Sequence, residues 1–117
     1  MAWLLRDGEV LASLEVPDSR GGRLRGMLRR PTAEGAALLL RPARAVHTVG
    51  MRRAIDVAFC DADMVVLATV CSVRPLRVTL PRRHGKVVIE AEAGSFDRWR
   101  LKVGDRLEVK GTVDGHG

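Results

Sequence analysis

The residues of this chain best suited to chemistry fall in one short stretch, His47 to Asp56. His47, Thr48, Arg52 and Arg53 place an imidazole, a hydroxyl and two guanidiniums around the flexible Gly50. Together with Arg25, such groups could hold a carboxylate or phosphate, because a guanidinium offers a planar fork of donors to either. His47 could also act as a general base, or be a solvated residue ahead of a strand. Asp56 stands in Ile55-Asp56-Val57-Ala58-Phe59, where Ile55, Val57 and Phe59 share one face and Asp56 lies opposite with Ala58 and Cys60. A carboxylate opening a largely apolar strand must find donors or bear a large desolvation penalty. It is therefore either an acid, base or ligand anchor, or a structural acceptor for an arginine or for backbone amides of a neighbouring loop.

The charge pattern around these residues is uneven. Arg20 to Arg53 holds nine arginines and one acid, Glu34, and Arg74 to Lys86 adds five positive charges and no acid. The formal net charge is +6, with only Lys86, Lys102 and Lys110 as lysines. A basic balance favours acidic partners, although an arginine excess beside many Ala, Gly and Val also follows from G+C-rich coding. If the fold gathers these stretches, they would bind phosphates with an affinity that falls steeply with salt. Trp3, Phe59, Phe96 and Trp99 are the only aromatics, too few for the stacking platforms of single-strand binders. Nucleic acid is thus the weaker partner.

Several chemistries lack their residues. His47, Cys60, Cys71, His84 and His116 show no metal-ligand spacing. Gly21-Gly22 lacks the Lys-Ser/Thr that completes a phosphate loop. Ser13, Ser19, Ser72 and Ser95 have no nucleophile-elbow context. No cofactor is implied.

The elements that must position these residues are short strands. A length of 117 residues fits one domain. Trp3–Arg6 and Glu9–Val16 flank Asp7-Gly8, a two-residue hairpin turn signal. Alternation puts Val10, Ala12, Leu14 and Val16 on the buried face of the second strand. Leu24, Met27 and Leu28 mark a short helix within 18–30, ended by Pro31. Further strands are expected at 36–40, 45–51, 55–60, 64–73, 77–80, 87–91 and 106–109, with a turn at Asp61-Ala62-Asp63 and a short helix or turn at 95–101. The run from Met64 to Val73 is apolar on both faces, which predicts a central strand. The fold class is mainly β: a compact β-sandwich or barrel-like domain, 1–113, of short, mostly antiparallel strands with one or two short helices. Residues 114–117 read as a flexible tail.

Cys60 and Cys71 read as buried free thiols suited to a reducing cytoplasm. No apolar run approaches the ~20 residues of a spanning helix, and Asp7 and Glu9 interrupt any signal-peptide core. The expected location is cytoplasmic.

Three clusters in order resemble a known family. They are Arg25-Gly26-Met27-Leu28-Arg29-Arg30 with Gly35; His47 through Phe59; and Val88-Ile89-Glu90 with Ala93-Gly94 and Lys102-Val103-Gly104-Asp105. Over about residues 20–109 the chain resembles domain-of-unknown-function family 192, also called uncharacterised protein family 0127. His47-Thr48-Val49-Gly50 replaces the family's aromatic pair, Arg52-Arg53 its Lys-Asn and Ala54 its Pro. The resemblance implies a compact, mostly β, sandwich-like fold and no particular reaction.

Two functional readings follow. The first is a non-catalytic module, monomeric or dimeric, that binds an anionic small ligand or an acidic protein surface through Arg25, His47, Thr48, Arg52 and Arg53, with Asp56 orienting the guanidiniums. The alternative is an enzyme with a site around Asp56 and His47.

Overall fold

The computed structural model describes residues 1–16, 35–41, 54–74 and 84–111. The expected helix at 18–30 and the expected strands at 45–51 and 77–80 lie outside them. The described strands are β1 (Ala2–Arg6), β2 (Glu9–Glu15), β3 (Ala37–Leu40), β4 (Ile55–Cys60), β5 (Val66–Val73), β6 (Val87–Glu92) and β7 (Leu107–Gly111). One helix, α1 (Ser95–Trp99), lies between β6 and β7. The strands form one sheet in the order β5-β4-β6-β3-β2-β1-β7. Every pairing is antiparallel except β2 with β3.

The hairpin forms as its turn residues dictate. Asp7 (φ 53°) and Gly8 (φ 78°) both adopt positive φ, the conformation of a type I′ turn, whose twist matches the flanking strands. Alternation in β2 holds only in part. Leu4 pairs with Ala12 but Leu5 with Val10, so Leu11 is an extra residue and the strand bulges there. The bulge turns Val10 to the outer face, 53% exposed, whereas Leu14 remains buried.

The sheet curls without closing into a barrel. Its two edge strands meet through a bridge between Val65 and Arg106, and Val66 N donates to Asp105 O at 2.8 Å. The concave face gathers one apolar core: Leu4, Leu14, Leu39, Ala58, Cys60, Val66, Ile89, Phe96 and Leu107. A second, smaller core lies on the outer face of the β3–β6–β4–β5 half: Leu38, Leu40, Ile55, Val57, Phe59, Val73 and Val88. In this half both sheet faces are dry, so β3, β4 and β6 are apolar at nearly every position.

The strand read as central is an edge strand. β5 pairs only with β4 along its length, and its Cys71 and Ser72 are exposed. Its apolar run reflects placement rather than centrality: Val66 faces the inner core, and Val73 faces the outer one. Cys60 is buried and Cys71 exposed, both as free thiols. Among the described residues no helix is long and apolar enough to cross a membrane.

Candidate functional site

Asp56 lies on the inner face of β4, 1% exposed. Its Oδ1 accepts a hydrogen bond from the Ser72 amide at 2.8 Å. Its Oδ2 accepts from the amides of Gly94 and Phe96, each at 3.0 Å. Ser72 offers its amide from a left-handed conformation (φ 55°) in β5, and Gly94 (φ 95°) occupies the N-cap of α1 with no side-chain cap of its own. The carboxylate of a distant strand therefore caps this five-residue helix and satisfies N–H groups that a helix start leaves unpaired.

The other end of α1 is held from β1. Arg6 Nη2 donates to Trp99 O at 2.6 Å, and Nη1 donates to Arg100 O at 3.2 Å and to Asp105 Oδ2 at 3.1 Å. Asp105 Oδ2 also accepts from the Lys102 amide at 2.9 Å, fixing the turn before β7. Negative charge thus sits at the helix start and positive charge at its end, the arrangement the peptide dipoles favour. Phe96 enters the inner core and stacks against Trp99, ring centroids 5.5 Å apart. Asp56 and Arg6 together seat α1 on one end of the curled sheet.

Glu90 is the residue that sequence reasoning missed. It sits mid-way along β6 between Leu38 of β3 and Val57 of β4, on the face opposite Asp56. It is 4% exposed. Its Oε1 is buried with no hydrogen-bond partner among the described residues, and burial pushes its carboxyl up to about 8. Buried polar groups are almost always paired, so an orphaned carboxyl oxygen in mid-sheet marks a site under tension. The available signal was a Glu inside Val87-Val88-Ile89-Glu90-Ala91. Alternation groups it with Glu92, and that pair reads as a wet face.

Of the expected ligand-binding set, Asp56 is described, and its carboxylate is engaged by backbone amides. Arg25, His47, Thr48, Arg52 and Arg53 lie outside the described residues. Among those described, no group of three His, Cys, Asp or Glu is arranged to hold a metal ion. Burial, with Asp61 adding to it, pushes the Cys60 thiol up to about 12. Desolvation, then Asp56 and Asp97, raises the Cys71 thiol as well.

Comparison with known proteins agrees with this architecture. A family model described as "Uncharacterized ACR", DUF192, matches residues 2–109. A UPF0127 protein of Pyrococcus furiosus is 36% identical over 63 residues, covering 54% of this chain and 53% of the relative. A UPF0127 protein of Thermococcus sibiricus is 26% identical over 100 residues, 81% of this chain and 64% of the relative. The chain thus spans about half the length of the Pyrococcus relative it matches. Among solved structures, a protein of unknown function from Novosphingobium aromaticivorans superposes with a TM-score of 0.74 at 17% identity, covering 92% of this chain and 82% of the other. A protein from Sinorhizobium meliloti gives 0.75 at 19% identity, covering 92% and 91%. At such identities these two share the fold alone.

Proposed function

This chain belongs to the uncharacterised DUF192 family, and from that premise we propose that it is a non-catalytic binding module for an anionic small ligand or an acidic partner surface, acting in the cytoplasm. The observation that carries the reading is where the charge lies. The described strands, helix and turns hold nine Lys and Arg against eleven Asp and Glu. Segments 17–34, 42–53 and 75–83 hold eleven arginines against Asp18 and Glu34. The whole basic excess therefore resides in the segments that join β2 to β3, β3 to β4 and β5 to β6.

Two of those segments join strands of the β3–β6–β4–β5 half, and the third joins β2 to β3. Residues 42–53 begin after Leu40, which is level with Val88, and end before Ile55, which is level with Glu92 and Val73. Residues 75–83 begin just beyond Val73 and end just before β6. Residues 17–34 run between β2 and β3, strands that pair with each other. No such segment adjoins β7. Connections between rigid elements are where binding residues concentrate, and a single-sign cluster raises the local concentration of anions.

In this reading Arg25, His47, Thr48, Arg52 and Arg53 contact the anion, and Asp56 supports them indirectly by fixing β4 against α1. With three backbone amides on its two oxygens, Asp56 offers no observation in favour of the enzyme alternative. The test is native mass spectrometry of gently purified protein, wild type against Arg52→Ala/Arg53→Ala. The expected result is an added mass in the wild type, lost on denaturation, that the double variant lacks while it keeps the wild-type circular dichroism spectrum. A variant that loses fold and added mass together would make the two arginines structural and refute the assignment.

A further inference from the structure

We propose that the three arginine-rich connections lie side by side on the outer face of the sheet, and that, within the anion-binding reading on which this rests, the basic layer they form is a docking surface for an acidic protein.

Each of the three joins two parallel strands. β2 and β3 pair in parallel. β3 and β4 are both antiparallel to β6, which lies between them, and β5 and β6 are both antiparallel to β4. Residues 41–54 thus leave β3 level with Val88 and enter β4 level with Glu92, so they must pass over β6 on one face or the other. Residues 74–86 pass over β4 in the same way. The inner face is filled, because Leu4, Leu14, Phe96 and Leu107 pack there with Leu39, Ala58 and Ile89. On the outer face Leu38, Val57, Phe59 and Val88 are fully buried, yet the described residues packed around them all belong to the sheet itself. The rest of the chain supplies their cover.

Handedness assigns that cover to the three connections. In a strand of L residues running upward, a side chain facing the viewer has its own N–H and C=O pointing right. Val66 and Leu107 face the inner core, and where the two edge strands meet their N–H groups donate to Asp105 O and Met64 O. Seen from outside with β2, β3 and β4 upward, the strands therefore run β2, β3, β6, β4, β5 from left to right. β3 lies right of β2, and β4 right of β3. With the view turned so that β5 and β6 run upward, β6 lies right of β5. A crossover that steps to the right and passes in front of the sheet is right-handed, and parallel crossovers are right-handed almost without exception. All three connections therefore lie in front, on the outer face.

Segments 17–34, 42–53 and 75–83 bring eleven arginines and two acids to that face. Charge contributed by three separate connections makes a broad layer, and each guanidinium can take a carboxylate as a paired fork. The three segments hold no Phe, Trp or Tyr, so bases would find no platform to stack on. The spaced carboxylates of a protein surface fit this layer better than a nucleic acid does.

Paramagnetic labelling reads the position of the layer, in a Cys71→Ser background where Cys60 stays buried. A nitroxide at Thr48→Cys, and another at Thr79→Cys in a separate variant, are each expected to erase the methyl signals of Val57 and Val88 and to spare those of Leu4 and Leu14. The reverse pattern would put the connections on the inner face and overturn the proposal. Binding of poly-L-glutamate, compared with inorganic phosphate and an oligothymidylate, reads the partner class. Affinity for polyglutamate should fall with salt. Arg23→Gln, Arg44→Gln and Arg77→Gln, one from each connection, should each weaken it several-fold and flatten that dependence. Lys110→Gln, exposed on β7, should change neither. An effect confined to one connection would separate the arginines in space and overturn the shared layer. Tighter binding of the oligothymidylate than of polyglutamate would overturn the partner class. Phosphate binding without polyglutamate binding would overturn the docking surface and leave the anion-binding reading standing.

Discussion

Two buried carboxyls on adjacent strands, turned to opposite faces, meet opposite fates. Asp56 finds three amides; the Glu90 Oε1 finds none among the described residues. Asp56→Ala would strand three donors, each worth about 1–3 kcal/mol when left unmade. It should lower the urea midpoint more than any surface substitution, with Asp56→Asn nearly as costly because one oxygen becomes a donor facing donors. Glu90→Gln should act in the other direction. It should leave stability unchanged near pH 4 and raise the unfolding free energy progressively toward pH 8, since the wild type alone loses stability as pH rises toward about 8. The thiols divide in the same way. Under native conditions an aromatic disulfide reagent should titrate one thiol, Cys71, faster at alkaline pH, and should reach Cys60 only on unfolding. Asp56 was legible in the sequence because a carboxylate interrupts an apolar strand. Glu90 was not, because a single strand's pattern cannot reveal that both sheet faces are dry.

At the scale of elements, α1 is too short to be stable by itself. It exists because Asp56 and Arg6 hold its two ends. Arg6→Lys keeps the charge but cannot reach Trp99 O, Arg100 O and Asp105 together. The expected loss is about 1–3 kcal/mol, read as a lower urea midpoint together with a change in the near-ultraviolet signal of Trp99. The hairpin, the Asp61–Asp63 turn and the boundaries of β3, β4, β6 and α1 were all legible, because turn chemistry and apolar runs are local. The Leu11 bulge was not, since it arises from how β2 fits β1. The edge position of β5 was not legible either, since a strand's rank in a sheet is decided by chain far away in sequence.

For the molecule as a whole, separation of charge makes binding and folding respond differently to salt. The described scaffold is close to neutral, so the thermal midpoint should shift little from low to high salt. Retention on an anionic matrix should fall steeply over the same range. Parallel shifts in both would mean that the arginines stabilise the fold instead of contacting a partner. The arginine excess was plain in the sequence. Its confinement to the three segments that join β2 to β3, β3 to β4 and β5 to β6 needed the observed strand boundaries.

The place of β1 sets a timetable. It lies between β2, its neighbour in sequence, and β7, the last described strand, with Ala2 level with Gly111. During synthesis the β1–β2 hairpin is available long before β7, so its free side waits until every intervening strand has been made. Until β7 arrives, Leu4 and the concave core have no wall there and β1 is an open edge, a state prone to pairing with other nascent chains. With its ends joined so late, this sheet belongs among the slow, non-local folders despite its small size.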